Sequence, residues 1–193
     1  MPDVIRPATP ADVDALARLA AVTFPLACPP GSTAQDQQEF IDAVLSPARF
    51  AEYVADPQRT VLVAESPDES PEDATDEPAD DGPARELVGY TMLVAGEPTD
   101  DDVRAALTLA PTVELSKCYV HPDHHGAGTA SALMERSLAE ARAAGAAGMW
   151  LGVNQLNARA QRFYTRHGFA VVGVKHFQVG TRLEDDYVLE RAL

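Results

Sequence analysis

The sequence predicts a mixed α/β fold, and three observations carry that reading. Residues 113 to 130, Val-Glu-Leu-Ser-Lys-Cys-Tyr-Val-His-Pro-Asp-His-His-Gly-Ala-Gly-Thr-Ala, read as a strand that turns through a glycine-containing loop and opens directly into a helix. Behind the loop, Ala130, Leu133, Met134, Ser137, Leu138 and Ala141 recur at the i, i+3, i+4, i+7 spacing of a helix with one apolar or small face. Elsewhere, short segments rich in Val, Leu, Tyr and Thr alternate with stretches of helical period. Such an order joins some strands by hairpins, hence antiparallel, and others by helical crossovers, hence parallel.

Taken in chain order, Asp3 to Arg6 is a short strand candidate. Thr9-Pro10-Ala11-Asp12 then supplies a helix cap, a proline at the first helical position and an acidic residue in the first turn. The helix that follows puts Val13, Leu16, Ala17, Ala20 and Phe24 on one apolar face, and Pro25 with Pro29-Pro30-Gly31 is expected to end it. A second helix starts after Ser32 or Thr33 and carries Phe40, Ile41, Val44 and Leu45, while Pro47 to Val54 forms a third short turn. From its position between the first strand and the sheet, the region from 25 to 57 is expected to cover the substrate. Thr60 to Ala64 and Leu87 to Ala95 read as two strands joined by a long loop. Asp100 to Leu109 reads as a helix, followed by the strand at 113 to 120, the loop and its helix, and the strand Met149 to Val153. The helix Ala158 to His167, closed by Gly168, and strands near 169 to 179 and 185 to 191 complete the order.

Composition bounds the function classes. A chain of 193 residues with 46% hydrophobic content supports one domain with a substantial core, read as spanning 1 to 193. No run of about 18 apolar residues could span a bilayer, and the N-terminus lacks a secretory signature, so the expected location is cytoplasmic with no membrane partner. Cys28 and Cys118 lie far apart, which suggests neither a disulfide framework nor a zinc site, and Cys118 reads as a small core filler. The formal charge of −15 argues against nucleic-acid binding, which depends on neutralising phosphates. Between Glu65 and Glu86 ten acidic residues meet one arginine, with four prolines interspersed, so 65 to 86 reads as a disordered acidic surface insertion. The remaining body is moderately acidic, which suits a cationic amine but is equally ordinary.

The loop itself is a phosphate cradle. The first turn of a helix has backbone N–H groups without intrahelical partners, and the macrodipole adds roughly half a positive charge there. Gly126 and Gly128 can take unusual φ values and let a ligand approach the backbone. The spacing His125-x-x-Gly128-x-Ala130 resembles the Gln/Arg-x-x-Gly-x-Gly/Ala loop of the GNAT superfamily of acetyl-CoA-dependent N-acetyltransferases. A second block, Asn154 to Phe169, resembles that family's later segment, with an Asn-containing helix start followed by Phe163-Tyr164 and His167-Gly168-Phe169. The resemblance is strongest from about 113 to 177 and weak before residue 87. It implies a three-layer fold, with helices on both faces of a twisted mixed sheet splayed open to hold an acyl-CoA. It also implies acetyl transfer from acetyl-CoA to a primary amine of a small molecule or peptide.

Roles follow from the same resemblance. Backbone N–H groups from His125 through Gly126, Gly128, Thr129 and Ala130 would cradle the pyrophosphate. The backbone of Cys118, Tyr119 and Val120 would pair with the pantetheine amides as with an added strand. Tyr164 matches the tyrosine that donates a proton to the leaving thiolate, a task suited to a phenol with a reference pKa of about 10. Glu114 stands where several members carry a general base, and with a reference pKa near 4.3 it would need a raised pKa or a water relay. Asn157 would contact the cofactor.

Plainer readings stand beside these: glycines for a tight turn, Tyr164 as core, Glu114 as a solvated strand-edge residue, Asn157 as a helix cap. His125 departs from the usual Gln or Arg, which leaves backbone binding intact and puts a side-chain phosphate contact in question. His121, Asp123, His124 and His125 raise a metal alternative, but their crowded spacing places no two on one helical face. A dinucleotide fingerprint fails because residue 131 is Ser131, and a P-loop fails for want of Gly-Lys-Ser/Thr. The non-enzymatic alternative is a catalytically idle acyl-CoA sensor or an acidic interaction module. The acceptor stays open among peptide N-termini, protein lysines, polyamines, aminoglycosides and amino-acid conjugates, and a homodimer is among the assemblies the sequence admits.

Overall fold

The computed structural model describes residues 3–29, 31–66, 86–179 and 182–193. After β1 (Val4–Pro7), a 3-10 turn at Pro10–Asp12 leads into α1 (Val13–Ala27). Asp12 reaches back to the Thr9 N–H at 2.6 Å and its hydroxyl at 2.9 Å, occupying groups that a helix start leaves unpaired. Pro25 does not end α1 as expected. A proline removes only its own N–H, and so close to the C-terminus that loss is small; the helix runs on to Ala27, and the Cys28 N–H closes on the Pro25 carbonyl at 3.4 Å. Thr33 and Asp36 cap α2 (Ala34–Val44) reciprocally, and Pro47 to Val54 proves to be a helix, α3 (Pro47–Ala55), rather than a short turn.

The sheet comprises β1, β2 (Arg59–Glu65), β3 (Leu87–Ala95), β4 (Thr112–Val120), β5 (Gly148–Asn154), β6 (Ala170–Val179) and β7 (Arg182–Ala192), in the order β1-β2-β3-β4-β5-β7-β6. Every neighbouring pair is antiparallel except β4 and β5. Their crossover is α5 (Thr129–Ala143), as a parallel connection requires. The helix expected over 100 to 109 is shorter, α4 (Asp101–Ala106), with the Asp100 carboxylate accepting from the Asp102 and Val103 N–H groups. The second motif helix is α6 (Ala158–Arg166). Most of the acidic insertion expected at 65 to 86 lies outside the described residues.

Helices cover both faces. On one, Leu16 and Ala20 of α1 and Phe50 of α3 pack on Val63, Tyr90 and Met92. On the other, Met134, Leu138 and Ala141 of α5 pack on Leu93, Leu115, Met149 and Leu151. α4 covers Trp150 and Val188, whose strand neighbours Leu151 and Leu189 face α5, so by strand alternation α4 lies on the α1 side. A buried hydrogen bond of 2.9 Å between Thr91 and Ser137 ties α5 to β3.

Two irregularities in the middle of the sheet make the site. β4 and β5 pair only from Thr112 to Glu114 against Gly148 to Trp150; beyond that, among the described residues, the strands part. In β4 a bulge leaves Ser116 without an opposite residue, since Met92 faces Lys117 and Leu93 faces Leu115. The extra residue shifts the alternation by one, so Glu114 and Lys117, three apart, come to the same face.

Candidate active site

Where β4 and β5 part, two cavities open and meet. The outer one, of about 370 Å³, lies between the end of β4, the loop 121–128 and α6. The inner one, of about 450 Å³, is lined by β4, β5, Lys175 in the middle of β6, Asp186 in the middle of β7, and the α1–α2 region. Ala27, Cys118, Tyr119, Asn157, Ala160 and Tyr164 line both. From the segment expected to cover the substrate, Cys28, Phe40, Val44 and Leu45 line the inner cavity, beside Phe24 of α1. Phe24 and Phe40 stack there at 4.4 Å.

The loop has the geometry of an anion cradle. Gly126 and Gly128 hold φ of +88° and +97°, a region closed to most side-chain-bearing residues, and a Cβ at either would meet nothing within 4 Å. Gly128 begins α5 without any side-chain cap, which leaves the first-turn N–H groups facing the outer cavity beside Ala130 and Ser131. Such an uncapped helix start fits a pyrophosphate, and the unpaired edge of β4 at Cys118, Tyr119 and Val120 fits an amide-bearing arm laid alongside it. His125 folds back so that its Nε2 donates to the Val120 carbonyl at 2.9 Å, fastening the loop to the strand that leads into it. The buried Thr129 hydroxyl donates to Asp3, which leaves its backbone N–H as the group expected for the cradle. Arg159 and Arg166 of α6 line the same outer cavity.

Tyr164 sits at the junction, half-buried, edge-on to Phe163 at 5.4 Å and to Phe169 at 6.0 Å. Burial pushes its phenol well above the usual value, with Cys118 and Tyr119 adding to the shift, so it holds its proton at neutral pH. Burial likewise pushes the Cys118 thiol up to about 12, so it is no thiolate. This cysteine is half-buried and lines both cavities, rather than only filling the core.

Glu114 lines the inner cavity. Burial raises its carboxyl above the usual range, opposed by the charges of Lys175, Lys117 and Arg59 and by a hydrogen bond from the Ser116 hydroxyl. Lys117, beside it, is pulled down by burial to about 8, with Glu114 working the other way. Its ammonium lies 5.6 Å from the Tyr53 ring centroid. From β6 and β7 come Lys175 and Asp186, paired in register. Asn157 caps α6 by accepting from the Ala160 N–H at 3.0 Å while lining both cavities, so the cap and cofactor-contact readings coexist. Among the described residues no group of three or more His, Cys, Asp and Glu could hold a metal.

The residues singled out in the sequence thus gather around one pair of joined cavities, with Glu114 in the inner one and Tyr164 between. Sequence reasoning missed Lys117, Gly152, Lys175 and Asp186, which come together only through the bulge and the β5–β7–β6 pairing. It also missed Arg159 and Arg166, for which a signal exists: three arginines at 159, 162 and 166 share one helix in an acidic chain.

The comparisons agree with this geometry. The model of the acetyltransferase (GNAT) family matches residues 33–169. An uncharacterized N-acetyltransferase of Mycobacterium tuberculosis, Rv2669, is 45% identical over 182 residues, 94% of this chain and 98% of that one. The L-amino acid N-acyltransferase MnaT of Escherichia coli is 37% identical over 106 residues, 51% of this chain and 60% of that one. In fold, the chain resembles the PaiA N-acetyltransferase of Thermoplasma acidophilum, solved with coenzyme A, at a TM-score of 0.71 and 17% identity over 100% of both chains. The chain belongs to the acetyltransferase (GNAT) family, and it is an N-acetyltransferase. This kinship does not favour an idle sensor or an acidic interaction module. No helix among the described residues is long and apolar enough to cross a membrane.

Proposed function

We propose that this single-domain enzyme acetylates the primary amine of a small molecule in the cytoplasm, by direct attack with both substrates bound. The α5 N-terminus, Arg159 and Arg166 take the phosphates of acetyl-CoA, the β4 edge takes its pantetheine arm, and the thioester comes to the junction beside Cys118 and Tyr164. The amine enters the inner cavity. Its nitrogen forms the new bond to the acetyl carbon as the carbon–sulfur bond breaks; Glu114, directly or through a water, takes the amine proton, and Tyr164 gives its proton to the departing sulfur. The raised carboxyl of Glu114 brings the base closer to the acceptor's own basicity. The thiol of Cys118, held protonated, is a poor nucleophile, which supports direct attack over an acetyl-cysteine intermediate. A cavity of about 450 Å³ suits a small acceptor. The partial relative MnaT, whose name gives it amino acids as substrates, supports the same size class.

The observation that carries the reading is the meeting of the two cavities at a phenol that keeps its proton. Thiol release from acetyl-CoA with a panel of primary amines, beside calorimetric binding of acetyl-CoA, tests it. Binding with transfer to small amines is expected; binding without transfer across a broad panel would return the sensor reading.

A further inference from the structure

The chain carries 15 lysines and arginines together, and only two of these are lysines, Lys117 and Lys175. Both line the inner cavity. An arginine keeps its charge in proteins, whereas a lysine can lose its proton and become a nucleophile, so the chain's two side-chain amines stand in the cavity proposed for the acceptor. They are held differently. Lys175 stands opposite Asp186 in the β6–β7 ladder, its stem laid across Gly152, where a Cβ would come within 2.5 Å of the lysine Cε, and its ammonium 5.9 Å from the Trp150 ring centroid. Lys117 belongs to β4, one residue before Cys118, which lines both cavities. Because the bulge leaves Ser116 without an opposite residue, Lys117 comes to the same face as Glu114 rather than the other one. Its ammonium rests 5.6 Å from the Tyr53 ring centroid, at the end of a flexible four-carbon stem, and the Arg59 guanidinium lies 4.8 Å from the same ring. Two cations therefore share one aromatic ring.

We infer that Lys117 is itself an acetyl acceptor: with acetyl-CoA bound and no amine substrate in the inner cavity, its Nζ takes the acetyl group, and the enzyme acetylates itself. The inference rests on the acetyl-transfer reading above, which brings the thioester to Cys118 and Tyr164, next to Lys117 in the chain. The Nζ lone pair forms the bond to the acetyl carbon as the carbon–sulfur bond breaks. The nitrogen's proton passes to Glu114, directly or through a water, and the departing sulfur takes the Tyr164 proton; the proton on Glu114 then returns through water to the phenolate. The products are the coenzyme A thiol and an uncharged N-acetyl-lysine inside the acceptor cavity. Around Lys117 stand Glu114 on its own strand, Arg59 of β2 and Tyr53 of α3, with Lys175 of β6 and Asp186 of β7 lining the same cavity. Of these only Lys175 is another amine. Burial pulls the Lys117 amine down to about 8, with Glu114 opposing the fall and Arg59 adding to it, so near pH 8 about half of it is neutral and able to attack. An amine tethered beside the thioester also needs no bimolecular encounter.

The test incubates the whole enzyme with acetyl-CoA and no added amine, follows its intact mass with time and places the acetyl group by peptide mass spectrometry, while calorimetry measures acetyl-CoA binding and thiol release measures transfer to a panel of small amines. One acetyl group on Lys117 is expected. Its rate should saturate with acetyl-CoA, be independent of enzyme concentration, and exceed the rate at Lys175, or at Lys117 in the urea-unfolded chain, by about a hundredfold or more. The rate should rise with pH and level off above about 8, because the neutral amine is the form that attacks. Lys117→Arg, which keeps the charge and removes the nucleophile, should bind acetyl-CoA and stay unmodified. Lys117 left unmodified while added amines are acetylated, or labelling no faster than at Lys175 or in the unfolded chain, overturns self-acetylation and leaves acetyl transfer standing. Failure to bind acetyl-CoA, or binding with neither amine nor lysine acetylated, overturns the acetyl-transfer reading and this inference with it.

Discussion

Glu114 is a carboxylate whose position sets its strength. Burial lifts its pKa above the ordinary value of 4.5. A base works as the carboxylate, so a raised pKa moves the acid limb of the rate profile up: activity should begin to fall on acidification at a higher pH than an ordinary glutamate would give. Glu114→Gln should lower kcat/KM by about 10²- to 10⁴-fold and abolish that limb, measured as kcat/KM against pH with saturating acetyl-CoA. A limb that persists in the variant would assign it to another group. In the sequence this residue is marked as a candidate base only by its place ahead of the loop, where several members of the resembled family carry one. What distinguishes it from a solvated strand-edge glutamate is the splay beyond Trp150 and the lysines brought up from β4 and β6. The bulge at Ser116 leaves no mark on hydrophobic periodicity, and Lys175 lies 61 residues beyond Glu114 in the chain.

At the scale of elements, the strand–loop–α5 unit and α6 were legible because their constraints are local: glycines where φ is positive, a one-sided helix, an asparagine cap. Gly128→Ala places a side chain at φ of +97° with open space around it, so the cost is conformational, about 1–2 kcal/mol, and should appear in denaturant unfolding together with weaker acetyl-CoA binding. In the proposed reading the arginines of α6, which line the outer cavity, meet the same ligand. Arg159→Ala combined with Arg166→Ala should raise the acetyl-CoA Kd about tenfold or more and flatten its dependence on salt, read by calorimetry at two ionic strengths. An unchanged salt dependence would leave the phosphates to the backbone alone. The α1–α3 region was the least legible. Its helices are set by caps such as Thr33–Asp36, and the role of its apolar residues depends on which of them turn to the cavity rather than to the core.

On the whole molecule, the sheet edge is closed by Arg6, which bridges Asp12 at 2.7 Å and Glu65 at 2.5 Å and so ties β1, the entry to α1 and β2 together. The Arg6 guanidinium holds the Asp12 carboxyl down at about 2, against an ordinary 3.8. A depressed carboxyl stabilises the fold above its unfolded pKa and ceases to do so as pH falls through the folded one. Urea unfolding should therefore show this contribution intact above about pH 4 and fading toward about pH 2, and Asp12→Asn should be less stable at neutral pH with a shallower loss over that window. A variant as stable as the wild type at pH 7 would remove the bridge from the stability of the fold. The proposed reaction rests on the larger arrangement, in which a sheet opened between β4 and β5 brings the outer and inner cavities together at Tyr164. The most direct measurement of that claim is turnover by Tyr164→Phe beside its acetyl-CoA Kd. The expected result is a kcat lowered by about 10²-fold or more with the Kd little changed. An unchanged kcat would contradict it, and would remove Tyr164 from the proton path to sulfur.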